Sequence, residues 1–519
     1  MDIKKETITV SETVMRTNEK VLVSSDIIVP DVKSDIAKVL RLDADAIVES
    51  CTYTGSHIEI DGKIYLTILY VPENNENQPV CSIVTDIPFE TQIEDSRLTE
   101  GVKAVCKADV YNIEFNLLNS RKLCAKTLVD LNLHVIRLKQ EDFVVSMDDD
   151  SFEVYDDSAK IFSLIDFKNT KFTAEEVLDF PSGKPSAVSV LKTDVRLMDY
   201  QTHIITGKII VKGSVESCCL YVGDNGKIEF VNHEIPFTEV IDASGVNESS
   251  FCDLTLGVCV SSAKLRADSD GDMRLLELEM LFSAEVLAYE QSEIKLISDC
   301  FSVSDNAVCK QKKINLEKLV YSECLRKDIK GSIVLGENMP PVETVYNILV
   351  KPYIEKTTVS DGQINIEGSC DCYALYLSSK ENMPIFSAMS SVEFSLSVNS
   401  NQINENCICS AAAKVNSSSY NITLSGEIEI RCALDVCVSA TDTYEKEFVS
   451  EIEPAQDEPK NKRHGVCVYF VKKGDSLWKI AKKYKVPLGL LIKLNKLENP
   501  DLIYPGQPIL VPMPQKVCK

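Results

Sequence analysis

The chain has 519 residues, of which 44% are hydrophobic and 26% are charged, a composition typical of globular proteins rather than of disordered or fibrous ones. At about 100–200 residues per domain, this length predicts roughly three or four domains, each with its own core. The net charge of −24 argues against binding of nucleic acid or of anionic membranes by the chain as a whole.

The charge is divided unevenly along the chain. Residues 460–519 hold 13 Lys or Arg residues and three acidic residues, a net charge of +10, so that residues 1–459 carry −34. This asymmetry predicts an acidic body followed by a small basic interaction module.

Two features bear on the cellular compartment. The polar residues 1–7 lead into no apolar segment of a signal peptide, and no window approaches the ~18 apolar residues of a membrane-spanning helix. An odd number of cysteines, 19, would be hazardous in an oxidising space. We therefore expect a cytoplasmic protein whose cysteines are mostly small buried hydrophobic residues.

One sequence pattern occurs three times along the acidic body. An alternating apolar segment contains a glycine, a Leu-Tyr pair begins seven positions later, and an Ile-Pro-Phe triplet follows, which is Val-Glu-Phe in the third copy. The glycines are Gly62, Gly213 and Gly368, which are 151 and 155 residues apart. The pairs are Leu69-Tyr70, Leu220-Tyr221 and Leu375-Tyr376, and the triplets end in Phe89, Phe237 and Phe394. Spacing of this size predicts three domain-sized repeats.

The repeats are predicted to be β-structure, because their apolar residues alternate with a period of two. Each glycine predicts a bulge or bend in a long strand, and the turn-rich residues after each Leu-Tyr pair predict a hairpin with a variable tip. We expect a mainly β protein with three β-rich domains at 1–147, 148–300 and 301–450. Short helices near 32–40 and 314–325 are the expected exceptions.

Two clusters resemble metal sites, and a structural role explains each of them better. Cys370 and Cys372, upstream of Cys407 and Cys409, occupy positions that apolar or small residues fill in the other repeats, which predicts structural cysteines rather than a zinc site. Residues 268–272 contain Asp-Gly between alternating segments, which predicts a hairpin turn rather than a calcium loop.

The sequence contains no recognisable catalytic motif. The five histidines are scattered without metal-ligand spacing, and the Gly-Lys pairs lack the other residues of a phosphate loop. Neither Gly-x-Ser-x-Gly nor His-Glu-x-x-His occurs. We therefore expect no enzyme activity, no cofactor and no metal site.

The C-terminal part begins with a polar, proline-containing linker at 451–465, followed by a compact unit at 466–514. An apolar strand comes first, and then an amphipathic helix capped by Asp475 or Ser476. A second helix opened by Pro487 and a closing strand before Pro512 complete the predicted order β-α-α-β.

This unit resembles a LysM domain from end to end. The matching motifs are Gly474-Asp475-Ser476-Leu477-Trp478, Leu491-Ile492-x-Leu494-Asn495, Asn499-Pro500 and Ile503-Tyr504-Pro505-Gly506. The resemblance implies a groove between the loops 474–477 and 499–504, which in LysM domains binds glycans that contain N-acetylglucosamine, such as peptidoglycan.

The three repeats resemble the spore-coat-assembly (SPOCS) domain through the glycine, Leu-Tyr and Ile-Pro-Phe matches. Together with one terminal LysM domain, they resemble the SipL family of spore-coat morphogenetic proteins. That resemblance implies a non-enzymatic scaffold in the mother-cell cytoplasm, which tethers coat proteins to the forespore surface. Its LysM domain would bind the stage-IV coat morphogenetic ATPase, and its repeats would bind other coat proteins or further copies of the chain.

The candidate contact residues follow from their positions in the LysM motif. They are Asp475, Ser476, Leu477, Trp478, Lys479, Ile480, Asn499 and Tyr504. Leu477 and Ile480 are expected to act mainly by holding the module folded. Trp478, the single tryptophan of the chain, is either an edge residue of the small core or a flat contact for a ligand.

A cell-wall adaptor that binds peptidoglycan is the alternative function. The absence of an export signal and the many thiols disfavour it, and a single LysM domain provides little avidity. The expected cytoplasmic location favours a protein ligand and leaves residual glycan binding open. Lys479, Lys482 and Lys483 are either the solvated side of the first helix or a basic face that meets an acidic partner.

Overall fold

The computed structural model describes residues 2–73, 80–303, 307–336, 339–378, 385–454 and 465–513. Strands dominate these residues, with two short helices near the C-terminus, so the mainly β fold class is confirmed. We call the strands before residue 455 the body and residues 465–513 the head.

Each repeat of the body contributes six strands. Repeat 1 contains β1 (Asp2–Ile28), β2 (Ile36–Tyr53), β3 (His57–Pro72), β4 (Cys81–Glu94), β5 (Val102–Asn119) and β6 (Lys122–Asp148). Repeat 2 contains β7 (Phe152–Asp179), β8 (Ala187–Ile205), β9 (Lys208–Gly223), β10 (Ile228–Asp242), β11 (Phe251–Ala267) and β12 (Met273–Ser302). Repeat 3 contains β13 (Ala307–Ile333), β14 (Thr344–Ser360), β15 (Gln363–Leu377), β16 (Ile385–Asn399), β17 (Ile408–Ile422) and β18 (Ile428–Pro454).

The six strands form two antiparallel sheets with the same strand order in every repeat. The short sheets are β2-β3-β4, β8-β9-β10 and β14-β15-β16, and the long sheets are β1-β6-β5, β7-β12-β11 and β13-β18-β17. The two sheets of a repeat enclose one apolar core. Alternate apolar residues of β3 are fully buried, as its period-two pattern predicts.

The predicted hairpin after each glycine is confirmed, since β3 pairs with β4, β9 with β10, and β15 with β16. In repeat 2 the tip is a tight turn in which Gly226 has a φ of 73°. The tips at 74–79 and 379–384 lie outside the described residues.

The repeated glycine and the repeated phenylalanine have a common steric origin. Each glycine lies directly opposite the phenylalanine of its repeat on the neighbouring strand: Gly62 opposite Phe89, Gly213 opposite Phe237 and Gly368 opposite Phe394. A Cβ on Gly62 would lie 2.3 Å from the Phe89 ring, and one on Gly368 would lie 2.6 Å from the Phe394 ring. The bulge that we expected in the glycine strand lies instead in the strand before it, at the level of the glycine.

The repeated tyrosine is buried in all three repeats. Its hydroxyl donates to a backbone carbonyl 36 residues earlier, at 2.9 Å to Ser34, 3.1 Å to Pro185 and 3.1 Å to Pro340. A buried tyrosine hydroxyl needs such an acceptor, because an unsatisfied one is costly. The tyrosine of each Leu-Tyr pair therefore connects its short sheet to the segment that precedes that sheet.

Three shared apolar clusters join the three repeats, and equivalent residues of each repeat contribute to them, such as Val144, Ile297 and Val449 in the smallest. One cluster takes three residues from the long sheet of each repeat: Ile8, Val10 and Phe143 from repeat 1, Ala159, Ile161 and Leu296 from repeat 2, and Ile314, Leu316 and Phe448 from repeat 3. A second cluster contains Leu69, Leu220 and Leu375 of the Leu-Tyr pairs.

Three equivalent polar residues lie beside that second cluster, because Arg41, Lys192 and Asn347 pair in register with the three leucines. Lys192 of repeat 2 contacts Asp43 of repeat 1 at 3.0 Å, and Asn347 of repeat 3 donates to Asp194 of repeat 2 at 3.1 Å. Arg41 of repeat 1 donates to Ser387 of repeat 3 at 2.7 Å. Each repeat thus bonds to the next in a closed ring; we call these residues the inter-repeat polar ring.

Two helix predictions are wrong. Residues 36–40 begin strand β2, and residues 314–325 lie within strand β13. Strand β13 pairs along its whole length with β18, more than 90 residues away in sequence. Local apolar spacing carries no information about such a distant partner, and pairing overrides it.

The cysteines largely follow expectation. Cys370 and Cys372 belong to the core of repeat 3, as predicted. Two bonded pairs were not expected, Cys324 with Cys437 and Cys300 with Cys309. The first arises because the register of β13 and β18 places these two residues directly opposite each other.

The predicted turn at 268–272 is confirmed as the connection from β11 to β12. The Asp268 carboxylate accepts the backbone N–H groups of Asp270 and Asp272, each at 3.0 Å. Gly271 has a φ of 89°, which favours glycine.

The head has the predicted order β-α-α-β. Its elements are β19 (Gly465–Phe470), α1 (Leu477–Tyr484), α2 (Leu488–Asn495) and β20 (Pro508–Met513). Most of the predicted linker, at 455–464, lies outside the described residues, and its first residues, 451–454, continue strand β18.

Candidate partner-binding head

The turn before helix α1 is shaped by two of the predicted residues. The Asp475 carboxylate accepts the backbone N–H of Lys472 at 2.8 Å and the hydroxyl of Tyr469 at 2.7 Å. These two hydrogen bonds, the first above all, hold the pKa of Asp475 below its ordinary value. Ser476 caps the helix by accepting the Lys479 N–H at 3.2 Å.

Leu477 and Ile480 face the core of the head and are almost fully buried, at 3% and 1% exposure. Both contact the apolar cluster that also includes Leu491, Ile509 and Val511. Their burial agrees with the expectation that they hold the module folded.

The two predicted groove loops lie next to each other. Val471, just before the first loop, exchanges backbone hydrogen bonds with Gly506 and Gln507, just after the second. The Asn499 side chain accepts the Asp501 N–H at 3.0 Å, and the Tyr504 side chain is 63% exposed.

Lys479 is also exposed, and its amino group donates to the Gly474 carbonyl at 3.0 Å. Tyr504 and Lys479 are therefore accessible beside the loops.

Trp478 is placed differently from its neighbours, because its side chain contacts the body. Its indole Nε1–H donates to Asp299 at 2.8 Å, and its ring centroid lies 5.3 Å from that of Tyr155 and 5.1 Å from that of Phe301. Lys482, one turn later on α1, reaches the other oxygen of Asp299 at 2.5 Å.

The surface that receives Trp478 is built from the long sheet of repeat 2. Asp299 and Tyr155 are direct cross-strand neighbours, and Phe301 follows two positions along β12. A register shift between Ile297 and Asp299 precedes them. Phe301, 6% exposed, packs into the core of the head. We call Tyr155, Asp299 and Phe301 the docking face.

The head also has an exposed apolar surface that sequence reasoning did not single out. Val466, Val468 and Phe470 of β19 are 61%, 53% and 61% exposed, and Leu510 of β20 is 39% exposed. Val468 lies opposite Leu510, so these side chains share the outer face of the two-stranded sheet, while Ile509 and Val511 face the helices. The alternation in Val466–Phe470 was visible in the sequence, but which set faces inward was not.

Among the described residues, one carboxylate group has spacing suited to a metal ion. Oxygen atoms of Glu59, Asp61 and Glu90 lie within 4.8 Å of one another. Asp61 already accepts the Ser50 hydroxyl at 2.6 Å. The three residues lie on the short sheet of repeat 1, where Glu59 and Asp61 are partly buried and Glu90 is exposed.

Comparison with known families agrees with this geometry. The LysM domain model matches residues 469–512. The model described as SipL, SPOCS domain, matches three times, at 35–118, 187–265 and 341–423. The chain carries three SPOCS domains and one LysM domain. Each SPOCS match spans the four strands from β2 to β5 or their equivalents, so the outer long strands of each repeat lie beyond it.

Three relatives match over a length that corresponds to the LysM domain. The spore coat assembly protein ExsA of Bacillus cereus and the SpoIVD-associated factor A of Bacillus subtilis are each 59% identical over 46 residues, which is 9% of this chain. The uncharacterised protein YkzQ of Bacillus subtilis is 52% identical over 44 residues, 8% of this chain. The match covers 7%, 12% and 57% of these three relatives, respectively. No solved structure matches the chain.

Two of these relatives are thus named for assembly of the spore coat or for association with SpoIVD. None of the helices in the described part of the chain has the length and apolar character needed to cross a bilayer.

Proposed function

We propose that this protein is a non-enzymatic scaffold of the spore coat, which binds the stage-IV coat morphogenetic ATPase through its LysM head. In this proposal it lies in the mother-cell cytoplasm at the forespore surface, where the repeats hold other coat proteins or further copies of the chain. The observation that carries the proposal is the likeness of the head to proteins named for coat assembly and for association with SpoIVD.

Charge also supports a protein partner. Residues 465–513 contain eight lysines and three acidic residues, so the described head is basic although the chain is strongly acidic. A basic surface on such a chain attracts an acidic surface of its partner and speeds their encounter.

The eight candidate residues divide into two proposed roles. Four shape or fold the head through the contacts described above: Asp475, Ser476, Leu477 and Ile480. The other four present side chains to the partner: Trp478, Lys479, Asn499 and Tyr504. An indole is a strong anchor in protein interfaces, because it buries a large area with little loss of conformational entropy.

The test compares two substitutions on different faces of the head. Trp478→Glu in the full chain should weaken binding to the purified ATPase by at least about 10-fold, because an anchor residue contributes more than ~1.4 kcal/mol. Phe470→Glu, on the outer sheet face, is the matched control and should bind as the unmodified chain does. Calorimetry measures affinity, and circular dichroism confirms that both variants are folded.

Three results would contradict the proposal in different ways. Unchanged binding of Trp478→Glu would exclude the indole as an anchor, and loss confined to Phe470→Glu would move the contact to the sheet face. A saturable change in Trp478 fluorescence with chito-oligosaccharide, without ATPase binding, would favour the cell-wall adaptor instead.

A further inference from the structure

We propose that the body holds the head in a closed state, in which the docking face covers Trp478 and competes with the outside partner for the same side chain. This inference rests on the proposed function for the identity of the partner, but not for the contact between head and body. The contact is a binding surface for the LysM domain within the same chain.

The polar part of the contact uses both oxygens of one carboxylate. Trp478 donates to one Asp299 oxygen at 2.8 Å, and Lys482 approaches the other at 2.5 Å. The two head residues are four positions apart, so they lie on the same face of helix α1. A single body residue, Asp299, thus bonds to both.

The apolar part of the contact packs two aromatic rings against the partly buried indole. Tyr155 and Phe301 lie at 5.3 and 5.1 Å from the Trp478 ring, distances typical of favourable aromatic pairs. Phe301 is nearly as buried as the head's own core residues, and Val303 packs beside it. The docking face therefore supplies part of the apolar environment of the head.

The docking face and the outside partner compete because the Trp478 indole cannot contact both surfaces at the same time. Lys479, Asn499 and Tyr504 remain exposed in the closed state, while Trp478 is engaged. The covalent link between body and head keeps the docking face at a high effective concentration. A partner that needs Trp478 binds with an apparent affinity reduced by the fraction of heads that are open.

The single tryptophan makes the closed state measurable without any partner. In the full chain, Asp299→Ala should shift the fluorescence emission of Trp478 to longer wavelength and increase its quenching by acrylamide. Lys482→Glu, changed on the head side, should have the same effect because it places two like charges together. Glu176→Ala, an exposed acid elsewhere on the same long sheet, is the matched control and should leave emission and quenching unchanged.

Exchanging the charges of Asp299 and Lys482 distinguishes a loss of docking from misfolding. Asp299→Lys alone should open the head, and Asp299→Lys combined with Lys482→Glu should return quenching towards the unmodified value. Unchanged emission and quenching in both Asp299→Ala and Lys482→Glu would overturn the proposed contact.

The competition is tested on the body side, with the partner surface of the head left intact. Asp299→Ala should bind the coat ATPase about 5- to 10-fold more tightly than the unmodified chain, a coupling typical of linked sites. If fluorescence shows that Asp299→Ala opens the head while its affinity for the coat ATPase is unchanged, the proposed competition is wrong. Failure of both chains to bind would contradict the proposed function, while the fluorescence result would still decide whether the head docks.

Discussion

Among single residues, Glu285 shows how the interior of the body changes side-chain chemistry. It lies on β12, the middle strand of the long sheet in repeat 2. Burial raises its pKa to about 7, an effect that Lys107 opposes and that Asp109 and Asp253 strengthen. The carboxyl is therefore half-protonated near neutral pH.

The pH dependence of stability should reveal this residue. Because the folded-state pKa is raised, the folded chain holds more protons than the unfolded chain between about pH 4.5 and 7. Protonation of Glu285 makes the folded chain about 3 kcal/mol more stable below this window than it is with the ionised carboxyl above it. This stability is lost as the pH rises through the window. Urea unfolding at pH 5 and pH 8 measures it.

Glu285→Gln should remove that part of the pH dependence and raise stability at pH 8. The matched control is Glu293→Gln, an exposed position on the same strand, which should keep the dependence of the unmodified chain. An equal change in stability between pH 5 and pH 8 in both variants would show that Glu285 is not responsible.

Among elements, the glycine–phenylalanine pair accounts for the recurring sequence signature. The glycine leaves room for the ring from the next strand, and the ring covers the backbone that a side chain would otherwise protect. In repeat 3 the first two positions of the triplet hold Val and Glu instead of Ile and Pro, but Phe394 still lies opposite Gly368. The steric requirement therefore concerns the phenylalanine more than the rest of the motif.

Gly368→Ala should destabilise repeat 3 by about 3 kcal/mol, because the new Cβ would lie 2.3 Å from the Tyr353 carbonyl oxygen, a backbone atom that cannot move alone. Gly183→Ala is the control, since a Cβ added there would meet no atom within 4 Å and its φ is ordinary. Thermal unfolding of both variants tests the difference. Equal melting temperatures would refute the steric explanation.

At the scale of the whole molecule, the inter-repeat polar ring links the three repeats. The side chain of Lys192 is only 6% exposed and lies between Asp43 and Asp194, which belong to different repeats. Burial opposes the ionisation of Asp43, but Lys192 and Arg41 outweigh it and hold its pKa well below the ordinary value. Asp43 therefore stays ionised at neutral pH.

Lys192→Met should destabilise the body by about 3–5 kcal/mol, because it leaves the Asp194 carboxylate without its cation and leaves Asp43 with Arg41 alone. Lys208→Met, which removes a half-exposed lysine 3.7 Å from Asp242, should cost less than about 1 kcal/mol. Denaturant titrations of the two variants provide the comparison. A cost for Lys192→Met as small as that of the control would mean that the ring does not hold the repeats together.

The parts of the fold that depend on local pattern were predictable. The period of two indicated strands, and the 3.6-residue period after a cap at Asp475 or Ser476 indicated helix α1. The segment 314–325 was predicted wrongly, because its structure depends on pairing with β18 rather than on its own spacing. Trp478 was expected at a groove or at the edge of a small core, and it lies at a contact with the body that no neighbouring residue indicates.

The amino-acid sequence alone therefore established the three repeats, their β character, the division of charge and the LysM head. These properties follow from residue spacing and composition, which can be read without knowing which distant residues are in contact. The closed inter-repeat polar ring, the bonded cysteine pairs and the docking of Trp478 on Asp299 appear only in the folded chain. The ring and the docking contact join residues that are far apart in sequence, and such contacts are selected by the packing of whole sheets rather than by local preference.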